Sequence, residues 1–318
     1  MNLLKTHLLP RTDLEVSPLC LGAGAFGTSV TGDSADRLVG NFCAAGGNFF
    51  DTAHCYAFWV KNGLGVSERE LGASLRRVGC AEQAVIATKG GHPDGGPGYP
   101  RPADFLSARV IASDIEESLN RLGIACIPLY YLHRDDNRTP VAQIIEMLNG
   151  EITRGRIRHI GASNWSVARI AAANAYADSR GLRGFVASQV QWSLAEPNLP
   201  PAAADPTTRF VTNEEITWHA ASGVPIVAYS ATASGYFAGH GDGGSYDLPA
   251  NQARRTRAAE LSARLGCTPT QVALAYLMHQ EPRFIPLFST TNPAHLAEAL
   301  GSVAVALDPP LVRWLRDG

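Results

Sequence analysis

The amino-acid sequence predicts an α/β fold, a single (β/α)8 (TIM) barrel that is preceded by a short N-terminal β-hairpin. Eight short apolar segments alternate with longer amphipathic segments along the 318 residues. Neighbouring parallel strands need a helical crossover, so this alternation predicts a parallel sheet. Segments such as Ile226-Val227-Ala228 are apolar at every position, which indicates strands that are buried on both faces. Eight such units without a linker-like change in composition favour a closed barrel, with residues 1–318 forming one domain.

The strands are predicted where the apolar segments occur, and the helices where apolar residues keep helical spacing. The expected strands cover residues 19–22, 48–51, 84–89, 127–133, 159–163, 185–189, 225–229 and 284–289. The expected helices cover residues 33–46, 67–79, 102–123, 140–153, 167–177, 212–222, 251–265 and 269–279, and the last begins near Asn292. Residues 6–16 contain the turn-like Arg11-Thr12-Asp13 and are expected to form a hairpin that covers the N-terminal end of the barrel. The glycine-rich residues 235–244 carry no helix signal and resemble loops that cover binding sites.

Charge and cysteine content exclude several classes of partner. The formal net charge is −2 and no basic stripe is present, so neither nucleic acid nor an anionic membrane is an expected partner. The six cysteines form no C-x-x-C pair and have no metal-ligand spacing, which indicates free thiols in a reducing compartment. Residues 1–10 lack the apolar segment of a signal peptide, and no window approaches 18 uninterrupted apolar residues. We therefore expect a cytoplasmic protein without a metal centre.

A glycine pattern near the first strand raises an alternative fold. Gly22, Gly24 and Gly27 match G-x-G-x-x-G, and Asp51 ends the next strand, as in a Rossmann dinucleotide site. In that fold the last glycine lies inside the start of a helix, whereas here residues 28–32 separate it from any helix. The sequence therefore favours glycines at a strand-to-loop turn, and the Rossmann fold is the weaker alternative.

Four chemically compatible residues follow the predicted strands. Active sites of (β/α)8 barrels form at the carboxyl ends of the strands, where Asp51, Tyr56, Lys89 and His133 are expected. A free tyrosine, with a pKa of about 10, is a weak acid near neutral pH. A neighbouring ammonium group would lower that pKa, and a carboxylate would keep the ammonium charged. A histidine facing the same point could donate a hydrogen bond to a carbonyl oxygen. This set is suited to protonating the oxygen of a carbonyl group that receives a hydride.

The order of the motifs resembles the aldo-keto reductase family over nearly the whole chain. The matching segments are Arg11-Thr-Asp-Leu-Glu-Val-Ser-Pro18, Asp51-Thr-Ala-His-Cys-Tyr56, Ala87-Thr-Lys89-Gly, Tyr131-Leu-His133 and Gly161-Ala-Ser-Asn164-Trp165. The resemblance implies a (β/α)8 barrel and a nicotinamide cofactor without a Rossmann fold. It also implies catalysis by Asp51, Tyr56, Lys89 and His133, with Tyr56 as the acid/base. The implied reaction is reduction of an aldehyde or ketone. A second family role, that of a nucleotide-sensing accessory subunit without enzymatic activity, is the alternative.

The resemblance also assigns the residues that would contact the cofactor. It implies that Ser163, Asn164 and Gln189 bind the nicotinamide carboxamide and that Tyr229 stacks on the nicotinamide ring. The remaining implied contacts, to the pyrophosphate and adenosine, are Gly22, Ala23, Ser230, Ala231, Thr232, Ser234, Gly235, Ser289, Thr290, Thr291, His295 and Glu298. Ser289 and His295 stand where the family commonly has lysine and arginine for the 2′-phosphate of NADPH. NADPH is favoured on family grounds, and NADH is the open alternative.

Aromatic and polar residues near the strand ends are expected to line the substrate pocket. They are Phe26, His54, Phe58, Trp59, Trp165 and Trp192. The charged pair Arg134-Asp135, which directly follows His133, favours a polar or sugar-like substrate.

Overall fold

Eight parallel strands close into a barrel in the computed structural model, which describes residues 3–198, 205–240, 244–281 and 284–318. An antiparallel hairpin comes first and consists of β1 (His7–Leu8) and β2 (Glu15–Val16). The barrel strands are β3 (Cys20–Gly22), β4 (Phe49–Asp51), β5 (Val85–Gly90), β6 (Ile127–Leu132), β7 (Ile157–Ser163), β8 (Phe185–Gln191), β9 (Ile226–Tyr229) and β10 (Phe284–Phe288). Strand β10 pairs with both β9 and β3, which closes the sheet. The predicted barrel and hairpin are confirmed.

Helices connect successive strands as the parallel order requires. They are α1 (Asp33–Ala44), α2 (Val66–Arg77), α3 (Ala108–Leu122), α4 (Val141–Thr153), α5 (Val167–Arg180), α6 (Asn213–Ser222), α7 (Pro249–Leu265), α8 (Pro269–Met278), α9 (Pro293–Gly301) and α10 (Pro309–Asp317). Helices α6 and α8 begin with capping boxes, in which Thr212 and Thr268 accept from the backbone N–H three residues later. No helix in the described part of the chain is both long enough and apolar enough to cross a bilayer.

Three local predictions differ from the structure. Helix α3 begins at Ala108 instead of residue 102, because Ser107 is extended and the preceding residues form turns. Within the predicted loop at 235–244, a short 3-10 segment covers Ala233–Ala238, and residues 241–243 lie outside the described residues. Helix α10 had no counterpart among the predicted elements, and its carbonyl groups accept hydrogen bonds from Arg254 and Arg257 of α7.

The register of the strands determines which residues lie at the same level of the barrel. Gly22 is level with Asp51, and Asp51 with Ala87. On the opposite side, Ser163 is level with Gln189. The lower barrel is filled by buried side chains that include Cys20, Phe49, Leu129, Tyr131, Val227 and Ile285. The polar residues Asp51, Lys89, Ser163 and Gln189 lie above this layer, at or near the carboxyl ends of their strands.

Candidate active site

Lys89 connects Asp51 and Tyr56 at the carboxyl end of the barrel. Its Nζ donates to Asp51 Oδ1 at 2.5 Å, to the backbone carbonyl of Thr52 at 2.8 Å and to the Tyr56 hydroxyl at 3.0 Å. The ring of His133 packs edge-on against the Tyr56 ring, with 5.9 Å between the ring centroids. We call these four residues the tetrad: Asp51 ends β4, Tyr56 lies in the loop after β4, Lys89 is on β5 and His133 directly follows β6. The structure brings all of them together.

The Asp51–Lys89 pair is fully enclosed. Only 1% of the Lys89 surface is exposed, and a buried ammonium group is costly unless its protons are satisfied. Burial opposes the charged form, but the neighbouring Asp51 carboxylate and Tyr56 oxygen raise the pKa of Lys89. Burial raises the pKa of Asp51, and the hydrogen bonds from Lys89 and Gln189 counteract that rise. With three acceptors around it, Lys89 remains protonated at neutral pH.

The acidity of Tyr56 differs from the simple expectation. Part of the ring reaches the surface, yet burial of the phenol raises its pKa above the ordinary value. The charge of Lys89 lowers the pKa of Tyr56 but offsets only part of that rise. In the protein alone, Lys89 therefore limits the loss of acidity and does not make Tyr56 a stronger acid than free tyrosine.

His133 is held as a neutral imidazole. Burial lowers its pKa well below the ordinary value, and the nearby charges of Arg134 and Lys89 act in the same direction. The ring nitrogen Nδ1 lies 3.4 Å from the sulfur of Cys55. For the other ring nitrogen, Nε2, the structure gives no hydrogen-bond partner among residues 3–198, 205–240, 244–281 and 284–318. A neutral histidine has one donor and one acceptor nitrogen, so its tautomer determines what it can do.

Ser163, Asn164, Gln189 and Tyr229 form a polar group beside the tetrad. Tyr229 donates its hydroxyl to Asn164 Oδ1 at 2.9 Å, and the Asn164 amide donates to Ser163 Oγ at 3.1 Å. The Gln189 amide donates to Asp51 Oδ2 at 2.8 Å. Within the described residues, neither the Ser163 hydroxyl proton nor the Gln189 side-chain carbonyl oxygen is given a partner. These two groups match the acceptor and the donor of a carboxamide.

A cavity of about 300 Å³ contains most of the remaining residues that were expected to contact the cofactor. It lies between the segment after β9 and the residues that follow β10. The expected residues among its lining are Thr232, Ser234, Gly235, Ser289, Thr290, His295 and Glu298. Ala231 is buried, and Ser230, Ala231 and Thr291 are not part of the lining. No lysine or arginine lines this cavity as far as the structure describes it, whereas the carboxylate of Glu298 does.

Gly22 and Ala23 lie between the tetrad and this cavity. The N–H of Ala23 donates to the Asp51 carbonyl at 2.7 Å. A Cβ atom at Gly22 would lie 2.4 Å from the Ser289 hydroxyl oxygen, so glycine lets this end of β3 approach β10 without displacing that side chain. Gly22 and Gly27 thus allow close approaches within the barrel fold, whereas a Cβ atom at Gly24 would meet no atom within 4 Å. Because the parallel strands form a closed barrel, the Rossmann alternative is wrong.

The residues expected to line the substrate pocket divide into two groups. Phe58 and Trp59 lie beside the tetrad; Trp59 is 62% exposed, with its ring centroid 6.5 Å from that of Tyr56. The other four, Phe26, His54, Trp165 and Trp192, are buried and pack against other side chains, and their part in a substrate pocket stays a prediction. Phe26 belongs to a hydrophobic cluster, Trp165 packs on Phe185, and Trp192 packs between Phe210 and Phe284.

His54 supports the loop that carries Tyr56. Its ring nitrogens bond to the Tyr99 hydroxyl at 2.8 Å and to Glu117 at 3.1 Å, so both are occupied. Arg121 joins this group by ion pairs to Glu117 and Glu68. Glu68 in turn accepts from Thr88 on β5 at 2.7 Å. These contacts connect α2 and α3 to each other and to the carboxyl half of β5.

The residues following His133 also differ from the expectation. Asp135 pairs with Arg169 of α5 and does not face the tetrad. The buried Arg134 donates to Thr207 at 2.7 Å and to Asp205 at 3.3 Å. His92 was missed, although it follows Lys89 by three residues; its ring lies 5.0 Å from that of His133. Its position just beyond the carboxyl end of β5 was the sequence feature that could have identified it as a candidate site residue.

A second cavity, of about 610 Å³, lies at the amino ends of β7 and β8. It is lined by Arg11, Thr12, Asp13, Arg158, His159, Leu182, Arg183, Gly184 and Val186. Two of its three arginines pair with neighbouring carboxylates, Arg158 with Asp13 and Arg11 with Asp178, and Arg183 donates to the backbone carbonyl of Arg158. It contains no residue of the tetrad, so the chemistry described above belongs to the other end of the barrel.

Comparisons with known proteins agree with this architecture. A family model described as the aldo/keto reductase family matches residues 18–313. An uncharacterised oxidoreductase, YrpG of Bacillus subtilis, is 30% identical over 330 aligned positions that cover 97% of this chain and 94% of YrpG. The aldo-keto reductase ausK of Aspergillus calidoustus is 29% identical, with 97% and 80% covered. The thermostable aldo-keto reductase Tm1743, solved with the inhibitor epalrestat, shares the fold with a TM-score of 0.73 at 20% identity over 98% of both chains.

Proposed function

Because this chain belongs to the aldo/keto reductase family, a family of oxidoreductases that use nicotinamide cofactors, we propose that it reduces an aldehyde or ketone to the alcohol with NADPH or NADH. The observation that carries the proposal is the contact of Lys89 Nζ with both the Tyr56 hydroxyl and Asp51. A phenol beside a satisfied, buried ammonium group is a proton donor that can become an anion without leaving an uncompensated charge.

Tyr56 delivers the proton. Lys89 donates to the Tyr56 oxygen, so the phenol proton points away from Lys89 and can be donated to a ligand. When Tyr56 loses this proton, the phenolate remains bonded to the ammonium group. His133, neutral and close to Tyr56, would donate a second hydrogen bond to the same carbonyl oxygen and orient it.

The donor set beside the tetrad fits a nicotinamide. Ser163 and Gln189 would hold its carboxamide and Tyr229 would cover its ring, while the bound cofactor supplies the hydride. Since Gln189 also bonds to Asp51, the residues that hold the cofactor and those that hold the proton donor are one connected group.

We assign the adenosine end of the cofactor to the cavity that is lined by Glu298 and Ser289. NADPH is the cofactor that the family favours, and the hydroxyls of Thr232, Ser234, Ser289 and Thr290 are suited to a phosphate. The Glu298 carboxylate would repel a 2′-phosphate, so we propose that NADH is also accepted.

The substrate is proposed to be polar. Trp59 and Phe58 offer apolar surface beside Tyr56. Polar groups come from His92, whose ring contacts those of Phe58 and His133, and from Arg134, which follows His133 and pairs with Asp205. A site with both apolar and polar groups around Tyr56 suits a carbonyl compound that carries hydroxyl groups.

The test is consumption of NADPH or NADH with an activated aldehyde, followed at the absorbance of the reduced nicotinamide. Tyr56→Phe is expected to lose most of the rate and to bind the cofactor like the wild type, because it removes only the phenol oxygen. Full activity of Tyr56→Phe would eliminate the proposed proton donor. A wild-type protein that binds cofactor and reduces none of a broad panel of carbonyl compounds would contradict the proposed reaction.

A further inference from the structure

We propose that Cys55 is a positioning residue that fixes His133 in the neutral tautomer carrying its proton on Nε2. The inference rests on the proposed function for its purpose, and on the contact between Cys55 and His133 for its geometry. Cys55 directly precedes Tyr56 in the chain, and its sulfur lies 3.4 Å from Nδ1 of His133. Both Cys55 and Tyr56 therefore contact His133, Tyr56 with its ring and Cys55 with its sulfur.

The direction of this hydrogen bond follows from the protons available. Burial raises the pKa of Cys55 to about 12, so the sulfur keeps its proton at neutral pH. In the described part of the chain the structure gives the thiol no acceptor besides His133 Nδ1. A neutral imidazole offers a good acceptor at its unprotonated nitrogen, whereas a thiol sulfur accepts only weakly. The S–H therefore donates to Nδ1, and the histidine proton resides on Nε2.

This tautomer is the one that carbonyl reduction requires. With its proton on Nε2, His133 donates to the oxygen on which negative charge develops. In the other tautomer a nitrogen lone pair would face that oxygen and repel it. Because the two tautomers of a histidine differ little in intrinsic free energy, one weak hydrogen bond can determine which of them predominates.

His92 provides an internal contrast. Its Nδ1 lies 2.8 Å from the backbone carbonyl of Pro93, and a carbonyl oxygen can only accept. His92 must therefore carry its proton on Nδ1, as must His219 and His279, whose Nδ1 atoms also face backbone carbonyls at 2.9 Å. His133, whose Nδ1 faces a thiol, is expected to be the opposite tautomer.

The experiment is a long-range 1H–15N correlation spectrum of protein labelled with 15N-histidine. In the wild type, His133 is expected to show the Nε2–H pattern, while His92, His219 and His279 show the Nδ1–H pattern. Signals are assigned by His133→Gln and His92→Gln. Cys55→Val removes the S–H and should produce a mixture of both tautomers at His133 only. Cys55→Ser keeps a donor at the same position and should retain the wild-type pattern.

Kinetics give the second measurement. Cys55→Val is expected to lower kcat about twofold, far less than complete removal of an oxyanion donor, because two tautomers of similar free energy leave about half of the protein in the active form. The KM for the cofactor should change little, and Cys55→Ser should retain most of the wild-type kcat.

An Nδ1–H pattern for His133 in the wild type would overturn the inference. An unchanged spectrum and kcat in Cys55→Val would do the same. A wild type that reduces no carbonyl compound would instead contradict the proposed function, because the spectrum reads the tautomer without turnover.

Discussion

Gln189 donates a hydrogen bond from its amide nitrogen to Asp51 Oδ2 at 2.8 Å, across 138 positions of the sequence. Lys89 occupies Oδ1 of the same carboxylate. Asp51 therefore has a donor on each oxygen, and the amide expected to hold the nicotinamide is joined to the residues expected to deliver the proton. A change at Gln189 should affect both binding and chemistry.

We predict that Gln189→Leu raises the Kd for the cofactor and lowers kcat as well. The change removes an acceptor for the carboxamide and leaves Asp51 Oδ2 buried without a donor, which costs about 1–3 kcal/mol. Cofactor titration by tryptophan fluorescence and steady-state kinetics would measure the two effects. Gln191→Leu is the matched control, because Gln191 lies two residues along β8 and bonds to Tyr246 instead. An effect on kcat alone would contradict the dual role of Gln189.

The coupling of Lys89 to Tyr56 gives a second prediction. Lys89→Met removes the charge that lowers the pKa of Tyr56 and leaves the opposing effect of burial, so kcat should fall by about 10²–10⁴-fold. Lys5→Met, at an exposed lysine, should change nothing. If both residues act through one proton transfer, Lys89→Met should lose little further activity in a Tyr56→Phe background. Additive losses of activity in the double variant would show that Lys89 and Tyr56 act independently of each other.

Glu117 should make stability depend on pH in the acid range. Its hydrogen bond with His54 is the main cause that lowers the pKa of Glu117 to about 2, from an ordinary value of 4.5. A folded-state pKa below the unfolded value stabilises the protein above pH 4.5, and this contribution is lost as the pH falls toward 2. Since part of Glu117 is exposed, solvent screening reduces the effect.

The measurement is urea unfolding of Glu117→Gln and wild type between pH 7 and pH 3. The variant should be less stable at neutral pH, and the difference should shrink as the pH is lowered. Glu116→Gln, at the exposed neighbour on α3, is the control and should show no such trend. A difference that stays constant with pH would mean that the ionised form of Glu117 is not what stabilises the fold.

The sequence was sufficient to predict the barrel and the meeting of the tetrad, because both follow from order along the chain. Parallel strands bring their carboxyl ends together, so Asp51, Lys89 and His133 had to converge once their strands were identified. Side-chain direction beyond a strand end does not follow from that order. Trp165 and Trp192 come just after β7 and β8, yet they turn into the packing between strands and helices.

Contacts between distant segments were also beyond local patterns. His54 stands in the Asp51-Tyr56 segment and was expected in the pocket, but Tyr99 and Glu117, which bind it, lie 45 and 63 positions away. The Cys55–His133 contact spans 78 positions in the same way. Neither pairing has a periodicity that a single sequence could reveal.

Glu298 is expected to limit the binding of NADPH relative to NADH. It lines the cavity proposed for the adenosine end, where the structure describes no lysine or arginine to offset its charge. One of its oxygens accepts from Thr268 at 2.6 Å, and a glutamine can keep that bond through its carbonyl oxygen. Glu298→Gln should therefore remove the charge and preserve the packing.

Loss of a like charge near a phosphate is expected to tighten NADPH binding about tenfold, or by ~1.4 kcal/mol. NADH, which lacks the 2′-phosphate, should bind as before. Fluorescence titration with both nucleotides measures the ratio, with Glu260→Gln on the exposed face of α7 as the control. Equal changes for the two nucleotides would show that Glu298 does not face the 2′ position.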